Sequence, residues 1–393
     1  MRWWQPDPDR AAVIRAQVNI NEEFRMIMSS IPDTTMTQRF VPVLFFALFL
    51  LAGSAFSQHV QSAEPRAPES WERDEAWRAS ASVDTKNVRL QLHELLTAGD
   101  SQGTLLLIRA IDQRADWPTP ARERVLLDYV NGLRKETPRA ISAQVMEYLG
   151  RYPSRVLVAH EDHPQASVPL FNIRAATAGV LNTWTRLESS YQGAVLLASG
   201  AGNLVRAYLE QENLPARLGL IDALSTASPA QIEKLTQHAL SAFEQQPRLL
   251  ALAGRAALIA KDLDALETLV EKGRGADMPG LLRGSAQMLD AQQSSRLLQA
   301  ALRNPSHETA ALAIAQLTPA LAGHQATERL LLQTLENPDL GASAALALVK
   351  NPSTTALQEL ELLAAADEHS LRSSRARLAL GIHASRLSQT QQP

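Results

Sequence analysis

No cysteine occurs among the 393 residues of the chain. Disulfides, thiolate metal sites, a cysteine nucleophile and a lipid-bearing cysteine after a signal peptide are therefore excluded. Because many exported proteins also lack cysteine, the absence does not identify a compartment.

Aromatic residues are also scarce, at 5% of the chain, while 45% of the residues are hydrophobic and 20% are charged. These fractions suit a folded globular protein. Ala and Leu supply most of the apolar residues, which favours helices packed through small side chains over a sheet of β-branched and aromatic residues. The formal net charge of −3 gives no electrostatic case for binding nucleic acid.

Motifs of the common enzyme classes are missing as well. There is no Gly-x-Ser-x-Gly sequence, which is typical of a serine nucleophile at a strand-to-helix turn. The segment Ala198–Asn203 contains a Gly-x-Gly, but it lacks the preceding strand and the Lys-Ser/Thr ending of a phosphate-binding loop. We interpret it as a turn between helices that Asn203 caps, and we predict no cofactor.

One uncharged stretch, Phe40–Phe56, is seventeen residues long, and its densest part, Val43–Ala52, holds ten apolar residues. A membrane-spanning helix needs roughly 20 such residues, whereas the core of a signal peptide needs about 7–15. Ala55-Phe-Ser57 then matches a small-x-small cleavage site before Gln58. The sequence thus predicts a signal peptide and a periplasmic or secreted protein.

The position of this core is unusual, because 39 residues precede it. Met36 would give a normal short basic leader ending at Arg39, and Met26 or Met28 a slightly longer one. We hypothesise that the true start lies at one of these methionines. If the upstream segment is real, the core would instead remain as an uncleaved anchor, and the protein would be a single-pass inner-membrane scaffold.

A repeat dominates the C-terminal part. Leu297–Leu317 and Leu330–Val349 each contain a Leu-rich helix, an Asn-Pro break and an Ala/Leu helix, and the break at Asn304 recurs 33 residues later at Asn337. One such unit cannot bury its apolar face alone, so stacking of units follows. The predicted fold class is all-α, an α-solenoid of antiparallel helix pairs.

These units resemble HEAT repeats of the short, PBS-lyase-like kind, and a looser third copy spans Leu362–Leu380. The family usually has an Arg early in the second helix, a place that Arg372 or Arg375 could fill. A further stretch, Leu249–Gly273, resembles a tetratricopeptide hairpin. Both resemblances imply a helical-repeat architecture, and HEAT-like repeats mostly serve as protein-binding scaffolds.

Helix signals continue upstream of the repeats. Thr119-Pro120 and Thr137-Pro138 both predict helix starts, and Ser228 with Gln231 predicts a capping box. The predicted organisation is a leader over 1–39, a signal-peptide core and cleavage region over 40–57, a flexible spacer over 58–85, an N-terminal helical lobe over 86–160, an interruption loop over 161–169, a C-terminal helical repeat array over 170–387 and a disordered tail over 388–393.

The interruption loop contains the best concentration of potential metal ligands. His160-Glu-Asp-His163 places two imidazoles and two carboxylates within four residues, which could hold a divalent cation. A solvated acidic loop is the simpler interpretation. If the chain has a metal site or an enzymatic site, His160 and His163 are the candidates.

Three functions follow as hypotheses. The first is an exported, non-enzymatic α-solenoid that binds a protein or peptide in the cell envelope, with no nucleic-acid partner. The second is a metal-dependent module or enzyme with its site at residues 155–169. The third is a structural scaffold that residues 40–56 tether to the membrane.

Overall fold

The computed structural model describes residues 67–136, 143–318, 324–350, 352–366 and 369–390. Eighteen α-helices and three short strands lie in these ranges. The strands are β1 (Glu69–Ser70), β2 (Val156–Ala159) and β3 (Ser167–Pro169). The first eight helices are α1 (Arg73–Ser80), α2 (Lys86–Ala98), α3 (Ser101–Gln113), α4 (Thr119–Leu133), α5 (Ala143–Gly150), α6 (Ile173–Ser199), α7 (Ala201–Glu210) and α8 (Leu214–Asp222). The other ten are α9 (Pro229–Phe243), α10 (Leu250–Ala260), α11 (Leu263–Lys272), α12 (Met278–Met288), α13 (Ala291–Leu302), α14 (His307–Leu317), α15 (Gln325–Thr334), α16 (Gly341–Leu348), α17 (Thr354–Ala366) and α18 (Leu371–Thr390).

The all-α fold class is confirmed. Two short 3-10 helices, Ala223–Thr226 and Pro247–Leu249, add to the helical content between α8 and α10. In the described part of the chain, none of the helices combines the length and the apolar character that a membrane crossing needs. The predicted leader, signal peptide and cleavage site, residues 1–57, lie outside the described residues.

Helices α9 to α18, which we call the C-terminal array, are arranged in two layers. Each helix from α9 to α16 contacts the helix two places further along the chain. The odd-numbered helices therefore form one layer and the even-numbered helices the other, as stacked helix pairs require. The wider superhelical form of a solenoid, and membership of the HEAT or tetratricopeptide families, stay predictions.

Polar contacts in the array join one pair to the next. Asn304 is buried after α13, and its amide nitrogen donates to the carbonyls of Val270 at 2.7 Å and Gly273 at 2.9 Å, at the end of α11. Since the last carbonyls of a helix have no partner within it, Asn304 satisfies them from the following unit. The Asn-Pro break thus has a structural role between units as well as within one.

Arg375 in α18 has a similar role two units further on. Its guanidinium donates to the main-chain carbonyls of Leu335, at 2.8 Å, of Asn337 and of Pro338, at the end of α15. Gly341 makes this approach possible, because a Cβ there would lie 2.1 Å from Nη1 of Arg375. Arg372 instead pairs with Glu336 at the surface. Of the two arginines proposed from the HEAT resemblance, Arg375 makes the deeper contact.

The two larger apolar cores of the described residues meet along α6. Ile173, Val180 and Trp184 of this helix belong to the N-terminal core, whereas Leu197 belongs to the core of α7 to α18. The predicted boundary at 161–169 is therefore not where the packing divides. We call β1 to β3 with α1 to α5 the N-terminal lobe.

The N-terminal lobe contains a small sheet that the sequence analysis did not predict. β1 pairs in parallel with β2, from Glu69 opposite Val156, and β3 pairs antiparallel with β2. Pro169 lies in the edge strand, where a missing amide hydrogen costs no ladder bond. Two predictions are wrong here. Residues 167–169, predicted as part of an irregular loop, form strand β3. Residues 69–80, predicted as part of a flexible spacer over 58–85, contain β1 and α1. The latter residues fold because Ala76 of α1 packs on Val156 and Phe171.

The predicted helix starts and ends are confirmed only in part. Ser228 and Gln231 form the predicted capping box at the start of α9. Thr119 begins α4 but does not cap it, since its hydroxyl donates to Glu69 of β1 at 2.7 Å. Thr137-Pro138 lies outside the described residues. At the other end, α18 extends to Thr390, so residues 388–390 of the predicted tail are helical.

Candidate functional site

The predicted metal ligands lie in the tight turn between β2 and β3. The imidazole rings of His160 and His163 are 5.3 Å apart between centroids. The amide of Asp162 donates to Nδ1 of His160 at 3.1 Å, and Glu161 pairs with Arg73 of α1 at 2.8 Å. One imidazole nitrogen and one carboxylate are therefore already engaged within the protein.

No group of three or more His, Asp or Glu side chains that could hold a metal ion occurs among the described residues. His160 and His163 remain a pair, and their assignment as metal ligands stays a prediction. The Gly-x-Gly segment forms the predicted turn, with Gly200 at φ +141° separating α6 from α7. Asn203 lies within α7, and Gly200 occupies the capping position instead.

A groove between α3 and α5 is the candidate binding site. We call it the α3–α5 groove, and its volume is about 500 Å³. From α3, Leu105, Arg109 and Asp112 line it, at the spacing that places them on one helix face. The full lining is Leu105, Arg109, Asp112, Gln144, Glu147, Tyr148, Arg151, Tyr152, Pro153 and Arg155.

Part of the groove lining is a hydrogen-bonded cluster. Arg155 donates to both carboxylate oxygens of Asp112, at 2.8 and 3.3 Å, and the Tyr152 hydroxyl donates to the same carboxylate at 2.7 Å. The side chains of Arg155 and Asp112 are only 11% and 13% exposed. A two-pronged pair with so little water around it holds a fixed geometry. Burial, and then the Asp112 charge, raise the pKa of Tyr152, so its hydroxyl stays a donor.

Behind this cluster lies Glu123 of α4, which is completely buried. Its carboxylate accepts hydrogen bonds from the amides of Arg155 at 2.5 Å and Val156 at 3.3 Å. Burial raises the pKa of Glu123 to about 7, against the opposing effects of these amides and of Arg155. In a cleft, such a carboxyl group would be a candidate acid or base. Glu123 does not line the groove, so we assign it the structural role of holding the start of β2 on α4.

Sequence reasoning missed this cluster for a physical reason. Asp112, Glu123 and Arg155 belong to no recognisable motif, and charged residues in a helix or at a strand end are usually solvated. Only the fold brings them together, over separations of 32 and 43 residues. The alternative site predicted at residues 155–169 includes Arg155 but not its partners Asp112 and Glu123.

Comparison of the chain with protein families, with curated proteins and with solved structures found no match. Inference about function therefore depends on the chain's own residues.

Proposed function

We propose that this protein is an exported, non-enzymatic helical-repeat scaffold that binds a protein or peptide partner in the cell envelope, and that the α3–α5 groove receives part of that partner. The observation that carries the proposal is the lining of this groove. It combines a leucine, a proline and two tyrosines with six polar or charged side chains, and two of these, Asp112 and Arg155, are fixed by their hydrogen bonds. A partner could therefore make both apolar and polar contacts there.

The array supports the same proposal. Stacked helix pairs create extended surfaces on which a partner can lie. Such a surface can bind a partner without enclosing it in a pocket. Both acidic side chains that line the groove are paired with arginines, Glu147 with Arg151 and Asp112 with Arg155. This arrangement does not assemble a nucleophile with a base. Export is proposed from the apolar core and cleavage pattern at residues 40–57.

Site-specific photo-crosslinking tests the groove. We would place p-benzoylphenylalanine in place of the exposed Gln144 at the groove and, as a matched control, in place of the exposed Glu233 on α9. We expect an adduct with a cell-envelope protein from position 144 and none from position 233. Equal adducts at both positions, or none at either, would contradict the proposal.

Export is tested on the same protein isolated from the cell envelope. We expect its N-terminus to lie near Gln58. An intact upstream sequence would favour the membrane-tethered form, and recovery only from the cytosol would contradict export altogether.

A further inference from the structure

The charges that line the α3–α5 groove do not cancel. Arg155 is bonded to Asp112, and Arg151 is paired with Glu147 at 2.9 Å. Arg109 is the remaining cation, since in the described part of the chain no acidic side chain lies within ion-pair distance of it. The groove therefore has one positive charge that a ligand can neutralise.

Arg109 is also held in place. Its guanidinium carbon lies 5.5 Å from the centre of the Tyr148 ring, an arrangement that attracts the cation to the ring face. A guanidinium stacked in this way keeps its N–H groups along its edge, where they can donate to a carboxylate. The chemistry that Arg109 recognises is thus an anion with two acceptor oxygens.

The Asp112 end of the groove has a different preference. The Tyr152 hydroxyl and one N–H of each terminal nitrogen of Arg155 donate to Asp112, and both side chains are buried. What remains for a ligand there is the exposed apolar surface of Pro153. Leu105 provides a second apolar contact on the other side of Arg109. Apolar contacts therefore flank the cation on both sides.

The dimensions fit a short extended segment. Leu105 and Asp112 are seven residues apart on α3, which corresponds to about 10 Å of helix. An extended chain rises by about 3.3 Å per residue and its successive side chains point to opposite faces, so side chains on one face are about 6.6 Å apart. Three such side chains, at alternate positions of a five-residue segment, span about 13 Å, which is close to this length. Since Arg109 lies between the two apolar contacts, the acidic residue would be the middle one.

We infer that the α3–α5 groove binds an extended segment of a partner protein in which apolar, acidic and apolar residues stand at alternate positions, with the acidic side chain against Arg109. This inference rests on the proposed function, which it makes more specific. The carboxylate is that of an Asp or Glu side chain within the segment, because Arg109 lies between the two apolar contacts and the chain continues on both sides of it.

Fluorescence anisotropy with rhodamine-labelled, C-terminally amidated peptides tests the inference. The probes are Gly-Leu-Gly-Glu-Gly-Leu-Gly and the same peptide with Gln in place of Glu. We expect the Glu peptide to bind about tenfold more tightly, as a charge-assisted hydrogen bond allows. Arg109→Gln should remove this ratio and Arg109→Lys should keep part of it. Arg206→Gln, which changes an exposed arginine of α7, should leave it intact.

Equal affinity for the two peptides, or no binding of either, would overturn the inference. A third probe, the Gln peptide with a free terminal carboxylate, would overturn the side-chain assignment if it alone bound tightly. The crosslinking experiment tests the proposed function separately. If position 144 forms an adduct but the Glu peptide binds no more tightly than the Gln peptide, the proposed function stands and this inference fails.

Discussion

The N-terminal lobe and the C-terminal array are held together in different ways. In the lobe, polar contacts join elements that are not neighbours along the chain, such as Thr119 with Glu69 and Arg155 with Asp112. In the array, the contacts of Asn304 and Arg303 reach back by one helix pair, to residues 31–34 positions earlier. Damage should therefore spread through the lobe but remain local in the array.

The tryptophans allow the two regions to be followed separately. Trp71, Trp77, Trp117 and Trp184 pack in the N-terminal lobe or on its core, and the sequence beyond residue 184 has no Trp. In a chain with Trp3 and Trp4 changed to Phe, tryptophan fluorescence reports on the N-terminal lobe alone. Circular dichroism reports on the helices of both regions together.

The largest expected effect is that of Leu335→Ala in the array. Leu335 is completely buried, whereas Leu302, its counterpart one unit earlier, is only half-buried. Truncating a buried leucine costs about 2–5 kcal/mol, so Leu335→Ala should lower the urea midpoint seen by circular dichroism. Leu302→Ala, as the matched control, should cost clearly less. Equal losses would mean that the two units do not pack as described.

The next effect concerns Glu123 and the lobe. Because its pKa is raised from 4.5 to about 7 in the folded state, the stability it contributes is complete below pH 4.5 and is lost as pH rises through about 7. At 1.36 kcal/mol per pKa unit, this amounts to about 3 kcal/mol. Glu123→Gln should flatten this dependence in urea unfolding followed by tryptophan fluorescence at pH 5 and pH 8. An unchanged pH dependence would show that Glu123 does not titrate in this way.

A smaller effect separates the two Asn-Pro breaks. Asn304→Ala leaves the carbonyls of Val270 and Gly273 without their donor, which should cost about 1–3 kcal/mol. The side chain of Asn337 accepts from the amides of Asp339 and Leu340 in its own turn and not from a neighbouring unit among the described residues, so Asn337→Ala should cost about 1 kcal/mol or less. Chemical unfolding followed by circular dichroism would measure both. The reverse order would contradict the role of Asn304 between units.

The smallest effect is expected at the surface. Arg303 and Glu271 form an exposed ion pair at 2.8 Å between successive units. Such exposed pairs contribute little to stability and are weakened by salt. In a double-mutant cycle, Arg303→Ala and Glu271→Ala should therefore show little coupling. A coupling as large as the loss caused by Leu335→Ala would mean that surface charges contribute as much as apolar packing to holding the units together.

Local patterns explain why the array could be predicted and the lobe only in part. The repeat of Asn304 and Asn337 and the capping box at Ser228 involve residues close in sequence, whose spacing is visible directly. β1 has two residues, and it forms only because β2, far along the chain, offers it hydrogen bonds. The groove depends in the same way on the meeting of α3 and α5, so no motif marks it. His160 and His163 could be proposed from the sequence as candidate metal ligands because both lie in the short connection between β2 and β3.

Native-state hydrogen exchange of Leu335→Ala tests most directly whether this protein is a stack of locally coupled units. Stability in such a stack is a sum over neighbouring pairs, so the loss should concentrate where the packing was removed. We expect faster exchange over α15 to α18 and unchanged protection over α2 to α4. A uniform loss of protection along the whole described chain would instead identify one cooperative globule and contradict the repeat architecture.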